Sequence, residues 1–194
     1  KQKAYKGKLL FTHVGITGPT VLNMSREVGE LLHGGEGSEY LAKKENVTIM
    51  LDLFPALDNG ALKEKLQTLL TLQSNKKIKN ALSPFVPSTL VDPLLALAKI
   101  DGETPNHSVR TDERKALVLL LKAIPLHVRG LLGKDKAVVS SGGVALSEIN
   151  FKTMQSRLVS PLYVAGDMLN IDRPSGGYSL QLCWTTGYVA GNSC

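Results

Sequence analysis

The stretch LYVAGDMLNIDRPSGGYSLQLCWTTGYVAG (residues 162–191) decides the fold. Residues 162–165 read as a short buried strand that ends at Gly166-Asp167. A carboxylate at that point lies on the C-terminal edge of a strand, where open α/β sheets bind ligands. Gly166 removes side-chain bulk, so a ligand can come close to the backbone. The competing reading is an ordinary turn after a strand. A helix is expected over about 177–190, and it is led by Gly176 and Gly177 instead of the Ser, Thr, Asp or Asn that usually caps. A helix N-terminus presents unpaired N–H groups and partial positive charge, which suit anions and electron-rich oxygens. Paired glycines keep Cβ atoms away from those donors. Cys183, Gly187 and Gly191 recur at i, i+4 and i+8, a small-residue ridge for close packing. A loop glycine pair before a tightly packed helix is the bland alternative. Taken together, the carboxylate suits a sugar-alcohol chain, and the helix end suits a phosphate or a polar ring edge. A flavin dinucleotide has both.

The rest of the 194 residues is ordinary for a globular protein, 43% hydrophobic and 21% charged, which supplies a sizeable core. The net charge is +6, but the basic residues are scattered. Their densest cluster, Lys76, Lys77 and Lys79, adjoins a predicted helix end and reads as a solvated terminus, so no nucleic-acid partner is expected. Cys183 and Cys194 have no C-x-x-C or zinc spacing, so no metal site is expected and reduced, cytoplasmic thiols are the default. No apolar run approaches the roughly 18 residues of a membrane span, and no signal peptide is visible. The chain starts at Lys1 without Met, consistent with a processed product or a fragment.

Three regions follow one another. In the first, residues 8–12 suit a strand, Thr17 suits an N-cap with Pro19 in the first helical turn, and a short helix runs to about Leu32. Residues 33–38 (HGGEGS) read as a loop, and 46–53 (NVTIMLDL) alternate like a strand. The second region is helical. Leu62, Leu66, Leu69 and Leu70 share one face, 75–82 forms a short helix, and Ser88 caps a third that Gly102 stops. Thr111-Asp112-Glu113 begins a fourth, with acids where the dipole favours them. Its leucines are core. The third region returns to strands at 126–131, 136–140 and 162–165. His13 is weighed against a substrate-facing role and reads more simply as structural. His33, His107 and His127 have no metal-ligand spacing. Ser140-Ser141-Gly142-Gly143 is not the G-x-S-x-G elbow of a hydrolase.

The stretches GKLLFTHVGITGPTVLNMSR (7–26) and AVVSSGGVALSEINFKTMQSRLVSPLYVAGDMLNIDRPSGGYSLQLCWTTGYVAG (137–191), with the helical stretch between them, resemble the bacterial three-domain FAD-dependent oxidoreductases. That family includes aminoacetone-type amine oxidases and enone reductases acting on steroid-like substrates. The resemblance implies an α+β or α/β multi-domain fragment: part of a β-barrel with an inserted helical bundle, plus the C-terminal strand–loop–helix piece of a Rossmann-like FAD domain. Its boundaries would be 1–54 for the first part of the barrel, 55–124 for the helical domain, 125–144 for the closing barrel strands and 145–194 for the FAD-domain segment. Asp167 matches the acid that contacts the ribityl chain. Gly176, Gly177, Tyr178, Ser179, Leu180 and Gln181 match the loop and helix start that face the flavin ring. The family often has Glu at the position of Asp167 and Asn at that of Ser179.

No G-x-G-x-x-G occurs in this chain, although the resemblance implies one that grips the ADP half of FAD. The chain is therefore expected to be a C-terminal portion that binds FAD weakly alone and exposes apolar surface where the N-terminal half would pack. The implied activity is hydride transfer between flavin and a small organic substrate, as amine oxidation or enone reduction. The alternative is a non-catalytic barrel and helical module. The partners implied are a small-molecule substrate and the missing N-terminal FAD-domain half, with neither nucleic acid nor membrane. Residues near 13–17 are expected to face substrate. A catalytic acid or base, the use of NAD(P)H and the oligomeric state stay open.

Overall fold

The computed structural model describes residues 3–33, 47–137 and 142–194. The loop expected at 33–38 lies almost wholly outside them, as do Ser140, Ser141 and the end of the strand expected at 136–140. The chain divides into two compact units, Lys1–Glu45 with Gly130–Cys194, and Asn46–Arg129. Mixed helices and small antiparallel sheets make up both.

The first unit opens with a hairpin, β1 (Leu10–Thr12) and β2 (Gly15–Thr17), paired from Leu10↔Thr17 to Thr12↔Gly15. Helix α1 (Pro19–His33) follows at once. Pro19 holds the first helical position, where its missing N–H costs nothing. Thr17 is not its cap: it lies in β2, and the carbonyl of Gly18 accepts the first helical bond from Leu22 N at 2.9 Å.

The second unit is a helical bundle closed by one strand pair. Strand β3 (Thr48–Leu51) starts it, and helices α2 (Asn59–Leu72), α3 (Ile78–Leu82), α4 (Ser88–Leu97) and α5 (Thr111–Lys122) follow. Strand β4 (Ile124–His127) then pairs antiparallel with β3, Leu51 opposite Ile124. The core lies between the helices: Leu62, Leu66 and Leu70 from α2, Ile78 and Leu82 from α3, Leu94 and Leu95 from α4, Leu117 and Leu121 from α5. Leu62, Leu66 and Leu70 are i, i+4 and i+8 of α2, and the pairs from α3 and α5 are i and i+4, so each of these helices buries one stripe. Asp58 caps α2 by accepting Ala61 N at 2.7 Å. Several boundaries differ from expectation: β3 is shorter than the 46–53 expected, and α3 begins at Ile78 instead of 75. Ser88 is the first helical residue and Pro87 the cap. Helix α4 ends before Gly102, at Leu97 with Ala98 as its cap, and Lys99 follows with φ +58°. The Ile100 N–H reaches back to the Leu95 carbonyl at 2.9 Å, the closure in which a left-handed residue satisfies the last carbonyls. The strand expected at 126–131 sits two residues earlier, because Leu53 N bonding to Leu121 O at 3.0 Å sets the register directly after α5.

The chain then returns to the first unit. Residues Lys134–Lys136 form a 3₁₀ turn where a strand was expected to begin. A two-residue pair, β5 (Ile149–Asn150) with β6 (Gln155–Ser156), precedes the last helix, α6 (Tyr178–Gly191). Ile149, Met154, Val164 and Leu169 form the core, with Val189 and Ala190 of α6 against it. The strand expected at 162–165 is absent. Tyr163 makes a single bridge to Gln155, and a 3₁₀ turn follows at Gly166–Met168. Only Val164 of that run points into the core, while Leu162 stays exposed, so an apolar run of four here does not make a buried strand.

Candidate functional site

Asp167 and α6 are brought together by packing of the 3₁₀ turn on the helix. Gly166 has φ +64°, and a Cβ there would lie 2.9 Å from Cys183 Sγ. The missing side chain thus makes room for α6, not for a ligand. The Gly166 N–H donates to Thr186 Oγ1 at 2.9 Å, a buried bond. Thr186 Oγ1 in turn donates to Leu182 O at 2.6 Å. Cys183 and Thr186 are therefore the residues that dock the turn. The ridge expected of Cys183, Gly187 and Gly191 is only partly realised, because a Cβ at Gly187 or Gly191 would meet nothing within 4 Å. Gly143 makes a second close approach: a Cβ there would lie 2.6 Å from Met168 O, and Val144 N bonds to that oxygen at 2.8 Å.

The loop from 171 to 177 is held on both sides. Toward α1, Asp172 pairs with Arg26, Ser175 N donates to Asn23 Oδ1 at 2.6 Å, and Ser175 Oγ donates to Pro19 O at 3.3 Å. Toward α6, Arg173 makes three contacts. It pairs with Asp167 Oδ1, donates from Nε to Ser179 Oγ at 2.9 Å, and donates from Nη1 to Ile171 O at 2.7 Å. Its side chain is 8% exposed, whereas that of Asp167 is 60% exposed. One carboxylate oxygen is thus anchored on the guanidinium, and the group as a whole still faces solvent.

The start of α6 is open. Gly176 has φ +111°, a conformation that favours glycine, and neither Gly176 nor Gly177 would bring a Cβ within 4 Å of any atom. Gly177 caps the helix without a side-chain hydrogen bond. Tyr178 and Leu180 are exposed, and Gln181 donates to Thr185 Oγ1 at 3.0 Å along the helix surface. Ser179 differs from these: it turns inward to Arg173. The outer face of α6 continues as Trp184 and Tyr188, 67% and 74% exposed. A row of large apolar side chains in water marks a surface that something covers.

On the other side of the loop is a cleft of about 450 Å³, lined by residues that include Tyr5, Asn23, Arg26, Asp172 and Arg173. Its charges satisfy one another. Lys3 pairs with Glu27, and Arg26 with both Glu30 and Asp172. The Lys3 ammonium holds the Glu27 carboxyl below its usual range. His13 sits in the exposed turn of the β1–β2 hairpin, fixed by Thr12 Oγ1 donating to Gly15 O at 3.1 Å. Among the described residues, no three His, Cys, Asp or Glu side chains converge as a metal set.

Asp167 and the residues 176–181 therefore share one edge of the first unit, joined through Arg173. Sequence reading missed Arg173, Asn23 and Arg26. Arg173 is six residues from each of its carboxylate and hydroxyl partners, a spacing that signals nothing in an irregular loop.

The match to the HI0933-like protein barrel and H2TH domain covers residues 1–139. The chain belongs to this family. Among its relatives are the 3-dehydro-bile acid delta(4,6)-reductase of Clostridium scindens, 28% identical, and the ribosomal RNA dihydrouridine synthase of Escherichia coli, 30% identical. The ribosomal RNA dihydrouridine synthase of Haemophilus influenzae is 29% identical. These matches cover 95–96% of this chain and 42–44% of each relative. The chain thus spans less than half the length of the relatives it matches. No helix among the described residues is long and apolar enough to cross a membrane.

Proposed function

We propose that this chain is the C-terminal part of a cytoplasmic FAD-dependent oxidoreductase that reduces a carbon–carbon double bond conjugated to a carbonyl. The two kinds of relative support the reaction class. A delta(4,6)-reductase of a 3-dehydro-bile acid and a dihydrouridine synthase each saturate a C=C in conjugation with a carbonyl. The reduction proposed here balances as a hydride to the β-carbon and a proton to the α-carbon of such a bond. This favours the reductive arm of the resemblance over amine oxidation. The substrate is a small molecule in the first case and a base of ribosomal RNA in the second, and the reading here keeps the small molecule.

The observation that carries the flavin is the open edge of α6. A Cβ at Gly176 or Gly177 would meet no atom within 4 Å, so the space before the first turn of α6, at Tyr178, Ser179 and Leu180, is open. Asp167 presents a half-free carboxylate beside them. That donor and acceptor set fits a flavin ring edge and a ribityl hydroxyl. A bound flavin would supply the hydride equivalent. The chain's own part is to bind and orient: α6 donates to the ring edge, Asp167 accepts from a ribityl hydroxyl, and exposed Tyr178 and Leu180 shield the site from water. The ADP half would be held by an N-terminal G-x-G-x-x-G unit, which would also cover Trp184 and Tyr188. In this reading the barrel parts, the helical domain and the FAD segment follow the boundaries 1–54, 55–124, 125–144 and 145–194.

FAD titrated into the isotope-labelled chain tests this. Saturable shifts are expected at residues 166–167 and 176–181, weak for this chain alone and weaker in D167A. Absence of those shifts at millimolar FAD, both alone and with the dinucleotide-binding half supplied, refutes the flavin site. Tight stoichiometric binding by the chain alone refutes the half-site reading. Colourless, unshifted protein in both conditions favours a non-catalytic module instead.

A further inference from the structure

Asp167 and Ser179, twelve residues apart in the chain, meet on one side chain. The guanidinium of Arg173 lies between them, paired with Asp167 Oδ1 and donating to Ser179 Oγ at 2.9 Å. Its remaining contact, to Ile171 O at 2.7 Å, ties it to its own loop.

We propose that Arg173 is the positioning residue of this edge, bridging Asp167 and Ser179 and fixing the distance between the carboxylate and the first turn of α6. The ligand side rests on the flavin reading above; the geometry does not. Three acceptors in different directions suit a planar fork with five N–H donors, and a lysine ammonium cannot reproduce that fork. The side chain is nearly buried, so its position is set by packing as well as by charge. The loop cannot shift to compensate, because Asp172 and Ser175 on either side are tied to Arg26 and Asn23 of α1. With each of its nitrogens donating to a protein acceptor and the side chain only 8% exposed, Arg173 acts on a ligand through Asp167 and Ser179.

Amide hydrogen exchange and FAD titration on R173A and R173K test the proposal. R173A is expected to speed exchange about tenfold or more at residues 181–183, whose amides bond back into the first turn of α6, with residues 188–191 unchanged, and to weaken FAD binding by a similar factor. R173K, which keeps the charge and loses the fork, stays within a few fold of R173A. A folded R173A that exchanges like wild type at 181–183 overturns the proposal, and so does an R173K that restores wild-type exchange and affinity. If R173A does not fold, S179A takes its place, with faster exchange at the same amides expected and no change overturning. Wild type that binds no flavin, with the exchange pattern as expected, refutes the flavin reading and leaves the positioning role standing.

Discussion

Replacing Gly166 by Ala tests how the candidate site is assembled, because two separable costs fall on one atom. The first is conformational. At φ +64° an L side chain crowds its own backbone, at about 1–2 kcal/mol. The second is steric. The new Cβ would sit 2.9 Å from Cys183 Sγ but 3.6 Å from Cys183 Cβ, so the clash is with the sulfur alone. Relieving it means turning the thiol or moving α6, at about 1–3 kcal/mol. The total is about 2–5 kcal/mol. C183A removes the sulfur and leaves only ordinary contacts, so the double variant G166A/C183A is expected to recover the steric part and keep the conformational part. A double-mutant cycle in urea then gives a coupling of about 1–3 kcal/mol. Trp184, the chain's single tryptophan, adjoins Cys183 on α6 and reports this unit by its fluorescence. Refutation comes in two forms. If G166A is as stable as wild type, the turn does not pack on α6 as described. If the coupling is zero, the cost is not the sulfur contact.

Three further outcomes follow from the second unit. Lys122 Nζ pairs with Asp52 Oδ2 at 2.6 Å and donates to Leu57 O at 2.6 Å and Phe54 O at 3.0 Å; K122A is expected to cost about 2 kcal/mol in thermal or urea unfolding, and a cost near zero would show that water replaces all three bonds. Leu62 is fully buried in the bundle, so L62A should cost about 3–5 kcal/mol, and a loss under 1 kcal/mol would contradict the packing. Glu103 accepts from Lys77 and Lys79, which hold its carboxyl at about 2 against the ordinary 4.5. A lowered carboxylate pKa adds stability that is complete above pH 4.5 and is lost as pH falls toward 2. The stability difference between wild type and E103Q should therefore shrink over that window and shrink with added salt; a difference independent of pH would place the origin elsewhere than in the charge.

The leucine spacing of α2 and α5 was enough to identify both helices and the side each buries, since a 3.6-residue period leaves one face to bury whatever it packs against. Helix ends were less legible. Lys99 follows α4 in a left-handed conformation that its side chain does not advertise, and Thr17 looks like a cap but is held in a strand by Leu10 across the hairpin. Residues 162–165 carry a strand's composition, yet they find one bridge partner and no ladder. Strand character depends on a neighbour that local sequence cannot supply.

The sequence by itself determined the helical bundle, the acid at 167 and the glycine-led start of α6, because periodicity, charge and the lack of a Cβ are local properties. Tertiary structure decided what those residues are for. It turned Gly166 toward Cys183, left Gly187 without a neighbour, drew Ser179 inward and placed Arg173 between two residues twelve positions apart. Those are distances across a fold. No pattern within a loop encodes them, since they arise only when α1 and α6 close on the same seven residues from opposite sides.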